Sequence, residues 1–173
     1  MIRPALALLF LAPLAACNGG SEGNSTTISF NVNSSDGDVV GGVDANGSAS
    51  IKVPGFEGSI KLPKMNITAD NLDLNDLHLY PGSSVKGVNI DGQDGPGNHD
   101  SGKVHVTFES AAKADAVRAW FQKDLAKSAA SVTAQSNGFT GKTHDGSDYA
   151  IELSPAGDKT SGTIVISGTG DKH

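Results

Sequence analysis

The sequence predicts an α+β fold: short N-terminal antiparallel strands, then one amphipathic helix packed on an antiparallel sheet. Three observations carry this expectation. Apolar residues alternate at period two in several short segments, Ile28-Ser-Phe30-Asn-Val32 and Val104-His-Val106-Thr-Phe108 among them. One segment instead repeats its apolar residues at three- and four-residue spacing, through Ala116, Val117, Trp120, Phe121 and Leu125. Turn compositions rich in Gly, Asp, Asn and Pro punctuate the remainder.

In chain order, Ile28–Val32 is the first strand, and Ser35-Asp36-Gly37-Asp38 is a turn. Ser50–Val53 and Ser59–Leu62 follow as strands on either side of Pro54-Gly55-Phe56-Glu57-Gly58. From Met65 to Tyr80 the alternation skips at Asp70-Asn71 and Asn75-Asp76, which reads as very short strands joined by turns or bulges. Val85–Asp91 is another strand. Residues 91–102 have no apolar anchor and are expected to form a flexible Gly/Asp loop dividing a β-rich segment, 28–90, from an α+β domain, 103–168. Ser110 is the expected N-cap of a helix over 111–128, with Trp120 on its buried face. Val132–Thr143, Asp148–Leu153 and Thr163–Ser167 read as strands, with hairpin turns at Asp145-Gly146 and Pro155–Asp158 and a disordered tail over 169–173.

Composition narrows the function. The chain has 173 residues, 22 of them glycine, and only 5% aromatics, so it buries a modest core. Its formal charge of −6 argues against nucleic acid, whose binding depends on Lys and Arg neutralising phosphates. Cys17 is the only cysteine.

The N-terminus adds a compartment. A basic Arg3, an apolar run from Ala5 to Leu14 and the sequence Leu14-Ala15-Ala16-Cys17 form a secretory signal too short to span a membrane. Cysteine directly after Leu-Ala-Ala resembles the bacterial lipobox. That resemblance implies cleavage before Cys17 and acylation of its thiol and freed amine, so that residues 1–17 hold the signal peptide and the acylated cysteine. Several acyl chains, at about 0.8 kcal/mol per buried CH₂, make such an anchor effectively permanent. Asn18 in place of aspartate matches the outer-membrane sorting pattern of enterobacterial lipoproteins, facing the periplasm. Residues 18–27 contain no large apolar side chain and read as a flexible tether. With Cys17 acylated, no free thiol is left for a disulfide, a Cys-ligated zinc or a cysteine nucleophile.

A second resemblance covers roughly residues 80–167. Tyr80-Pro81-Gly82-Ser83, Val104–Phe108, Val117-Arg-Ala-Trp-Phe121 and Asp145-Gly146 followed by alternating strands look like a small domain of unknown function found in bacterial envelope proteins. It implies a fold and transfers no catalytic residue.

No constellation for catalysis, cofactor or metal stands out. His78, His99, His105, His144 and His173 fall in no metal or triad spacing and read as solvated imidazoles, His105 on the polar face of its strand. Asp91, Asp94, Asn98 and Asp100 are oxygen ligands in a Gly-rich stretch, but they fail the EF-hand spacing. Asp70, Asp73 and Asp76 read as solvent-facing turn positions. Neither Gly-x-Ser-x-Gly nor a phosphate-cradling glycine loop is present. The sequence therefore predicts a lipid-anchored envelope protein that is not an enzyme, a structural or protein-binding module with another envelope protein as partner. The alternative is a periplasmic small-ligand or metal-ion binding module using the 91–102 loop.

Overall fold

A computed structural model of the chain describes residues 25–72, 74, 76–94 and 99–171. Cys17, the signal segment, residues 18–24 of the expected tether, Asp73, Asn75 and residues 95–98 and 172–173 lie outside the described residues.

The α+β class holds. The described residues form a ten-stranded mixed sheet and one α-helix, α1 (Ala114–Ser128). The strands are β1 (Thr27–Asn33), β2 (Val39–Val43), β3 (Ser48–Val53), β4 (Phe56–Lys61), β5 (Ser84–Asp94), β6 (His99–Ser110), β7 (Ser131–Gln135), β8 (Gly138–Lys142), β9 (Asp148–Ala156) and β10 (Lys159–Asp171). Their spatial order is β4-β3-β2-β1-β5-β6-β10-β9-β8-β7. Every neighbouring pair is antiparallel except β1 and β5, which run parallel.

The sequence leaves open whether residues 28–90 and 103–168 share one sheet, and several other expectations differ from this topology. Residues 28–90 and 103–168 are joined in one sheet through the β5–β6 ladder. Residues 91–94 and 99–102 of the expected loop are instead the end of that ladder, because the backbone pairs as far as Asp94 with Asp100 without needing apolar side chains. On the other edge of β6, β10 pairs as far as Asp171 with His99, so most of the expected tail is strand. The tether is shorter than expected: Thr27 opens β1, and Thr26 is buried, donating its hydroxyl to the Val85 carbonyl at 2.6 Å and accepting from the Ile67 amide at 2.9 Å. Strand β2 was hidden by Gly41 and Gly42, and Val132–Thr143 is a hairpin of β7 and β8 rather than one strand.

The connection from β4 to β5 contains little regular structure. Its apolar alternation serves burial rather than pairing: Leu77 and Leu79 enter the core, while the backbone makes a 3₁₀ turn at Ala69–Asn71 and two isolated bridges. At its start the chain is pinned to the β2–β3 turn, where the Leu62 amide donates to the Gly47 carbonyl at 2.7 Å. Gly47 has φ +82°, and a Cβ there would lie 2.1 Å from the Leu62 carbonyl oxygen, so both conformation and contact require glycine.

Helix α1 starts at Ala114, three residues later than expected, since Ser110 still pairs in β6 and its hydroxyl accepts from the Ala112 amide. Val117, Phe121 and Leu125 form its buried stripe against β7, β9 and β10. Phe121 sits among Phe108, Trp120 and Phe139, with ring centroids 5.1–6.5 Å apart. Trp120 is half-buried, edge-on to Tyr80 at 5.7 Å. Arg118 lies over the Phe139 ring and donates to the Gln135 carbonyl, tying α1 to the β7–β8 turn.

Candidate functional site

Laterally paired residues on neighbouring strands point to the same face of a sheet, so the register assigns each face across its whole width. One row runs Ile60, Ala49, Val43, Ile28, Val88, Val106, Ile164, Ile151, Phe139 and Ala134, from β4 to β7. It contributes one residue per strand, and all are apolar. The sheet is thus one-sided from edge to edge.

Its cover is not. Along this row Val106 and Ile164 are 0% exposed beneath the layer that contains α1, Leu77 and Leu79, whereas Ile60 is 64% exposed. Over β1–β4 the same face presents Ile28, Phe30 and Val32, then Val39, Gly41 and Val43, then Ala49, Ile51 and Val53, and finally Phe56, Gly58 and Ile60. Phe56 is 61% exposed and Ile51 is also exposed. The chain leaving β4 follows the strand ends, its main chain bonded at Gly47 and Thr26, and then joins the core with Leu77 and Leu79. Large contiguous apolar patches on a chain's surface mark protein or membrane contacts, ligand grooves or aggregation-prone faces.

The opposite face is polar. The matching row there is Glu57, Lys52, Val40, Asn31, Asp91, Lys103, Ser167, Asp148, Lys142 and Ser131. Charges of opposite sign stand beside each other at Asp91 and Lys103 and at Asp148 and Lys142, the latter an ion pair at 2.6 Å. A shallow cleft of about 790 Å³ lies over this row and takes in His105, half-buried on this face, with Gln93 and Ser101 from the 91–102 stretch.

The remaining candidate residues are scattered. His78 meets Asp124 of α1 at 3.0 Å, and His144 meets Asp76 at 3.0 Å from its ring and 2.5 Å from its amide. Those amide and ring contacts, the amide first, hold the Asp76 carboxyl below its ordinary range. Asp145 is lowered by the Thr143 hydroxyl and the Ser147 amide, and Asp44 by the amides of Ser48 and Asn46. These carboxylates close turns and clamp the 65–83 connection to the β8–β9 turn. Asp70 sits in the 3₁₀ turn. Among the described residues, no three His, Cys, Asp or Glu side chains converge as a metal site, and no helix is long and apolar enough to cross a membrane.

Sequence reading missed the open face because glycines interrupt it. The signal was present in Val39-Val-Gly41-Gly-Val43 and Phe56-Glu-Gly58-Ser-Ile60, which alternate once glycine is allowed an apolar position. Comparison with protein-family models, curated proteins and solved structures returns no match to this chain.

Proposed function

We propose that this chain is a bacterial envelope lipoprotein, acylated at Cys17 and facing the periplasm, whose domain is a non-enzymatic protein-binding module that makes its contact through the open apolar face of β1–β4. The observation that carries the contact is the ten-residue apolar row, 0% exposed at Val106 and 64% exposed at Ile60. Burying such a surface gains about 25 cal/mol per Å². The lipobox supports the anchor, and the seven residues between Cys17 and Ser25 span at most about 28 Å, which keeps β1 close to the bilayer.

Each part has its own test. Cys17→Ala is expected to lose the lipid mass in intact-mass analysis and to leave the membrane fraction; a wild-type chain found soluble and unlipidated overturns the anchor. A benzophenone photo-crosslinker replacing Phe56 in the full-length chain, irradiated in intact envelopes, is expected to give protein adducts. Adducts to lipid alone, or none, overturn the protein contact.

The polar cleft favours a second reading, a small-ligand or metal-ion binding module of the periplasm. Asp91, Lys103, Asp148 and Lys142 offer both charges within one row, which suits a small ligand that carries both. A thermal midpoint that rises with calcium or with a zwitterionic amino acid supports it, and an unmoved midpoint rejects it.

A further inference from the structure

We propose that the occupant of the open face is the same face of a second copy, so that two anchored chains pack β1–β4 against β1–β4 as a sandwich. This rests on the reading of that face as a contact surface and names its partner.

The face itself argues for a sheet as the occupant. Phe30 lies over Gly41, where a Cβ would come within 2.4 Å of its ring, and Phe56 lies against Gly58 at 3.0 Å. With both rings lying down over glycines the surface is low in relief. Such a surface fits another flat sheet about 10 Å away better than it fits a helix or a single peptide strand, which need a groove.

Its chemistry argues for self-pairing. None of the twelve residues of this face in β1–β4 has a charged or hydrogen-bonding side chain. The ionisable groups of the segment are on the other face, at Lys52, Glu57 and Lys61, or in the turns, at Asp36, Asp38 and Asp44. A surface with no polar pattern is complementary to its own copy without satisfying any buried group, and a two-fold axis brings identical patches together. A bilayer is the weaker fit. The chain carries a charge of −6, which anionic leaflets repel.

Size and confinement agree. Four strands of about six residues cover roughly 20 by 19 Å, so two copies bury about 800 Å² before side-chain relief is added. That is below the roughly 1,200–2,000 Å² of stable specific interfaces and in the range of weak, transient ones, so the dimer is a reversible one. Identical short tethers keep every copy within the same thin layer beside one membrane, where confinement raises the effective concentration as a linker does.

The test uses the full-length chain in its own envelope, where an acylated Cys17 leaves an introduced cysteine as the only thiol; the chain without added cysteine is the control. Ile51→Cys or Ala49→Cys, treated with a bismaleimide of about 10 Å reach to match the sheet spacing, is expected to give a covalent species of twice the monomer mass. Ser50→Cys, on the polar face, is expected to give none, and adding Ile60→Asp to Ile51→Cys is expected to abolish the dimer. Trp120 fluorescence reports that each variant has folded. An adduct of another mass overturns the second copy but keeps the protein contact. A cysteine at 51 that stays monomeric and reacts fully with a water-soluble maleimide overturns both. One that is shielded with no protein adduct is covered by lipid, and a dimer that survives Ile60→Asp is held elsewhere; either result overturns the proposal.

Discussion

The two halves of the sheet are written in the same pattern and end in different states. In the covered half Phe108 lies over Gly162, where a Cβ would come within 2.2 Å of its ring, and Phe108 is 2% exposed. In the open half Phe30 lies over Gly41 in the same way but is only half-buried, and Phe56 and Ile60 are largely in solvent. Alternation therefore decides which way side chains point, while burial depends on a second layer. That layer comes from α1 and from Leu77 and Leu79 of the 62–83 connection, and it packs on residues of β5–β10 such as Val85, Val106, Ile151 and Ile164, while Ile90 of β5 and Val132 of β7 stay exposed on the same face. The open half is an amphipathic sheet face without such a layer among the described residues.

Mutations should separate the halves by size of effect. The largest belongs to the ring at the centre of the covered half: Phe121→Ala is expected to lose about 3–5 kcal/mol, a large share of a small domain's total stability, read from denaturant midpoints. Next is the joint between the halves. Thr26→Val removes the hydroxyl that serves both the Val85 carbonyl and the Ile67 amide, and leaving those groups buried without partners is expected to cost about 1–3 kcal/mol.

The clamp between Asp76 and the His144 amide gives a smaller, pH-dependent effect. Because its folded pKa lies below the unfolded value of about 3.8, Asp76 stabilises the fold above roughly pH 4, and this is lost as pH falls through the folded pKa. Asp76→Asn is therefore expected to lower the thermal midpoint at pH 7 and to converge with wild type toward pH 2. A constant offset at every pH would place the effect in packing instead. The smallest change in monomer stability is expected from the open half: Ile60→Asp should stay within about 0.5 kcal/mol of wild type in dilute solution.

Legibility in the sequence followed the same division. The buried stripe of α1 was readable because Val117, Phe121 and Leu125 recur at helical spacing without interruption. Strands β1, β6 and β9 were readable because their alternation is unbroken. The union of both halves in one sheet was not, since the parallel pairing of β1 with β5 joins residues sixty apart, and local pattern carries no information about partners at that range. The 91–102 stretch misled for a physical reason: backbone ladders need no apolar side chains, so polar strand ends and polar loops share a composition. Of the candidate site, Ile28, Phe30 and Val32 were visible as a strand. That their face stays open emerged only once the cover had been located.

On the proposed reading the open half finds its cover in the envelope. Amide hydrogen exchange of the full-length lipidated chain in its own membranes tests it most directly, comparing wild type with Ile60→Asp. Amides of β1–β4 are expected to be protected in wild type and to lose protection in the variant, while those of β6, β9 and β10 exchange alike in both. Equal exchange of β1–β4 in the two proteins would show that the face finds no such cover.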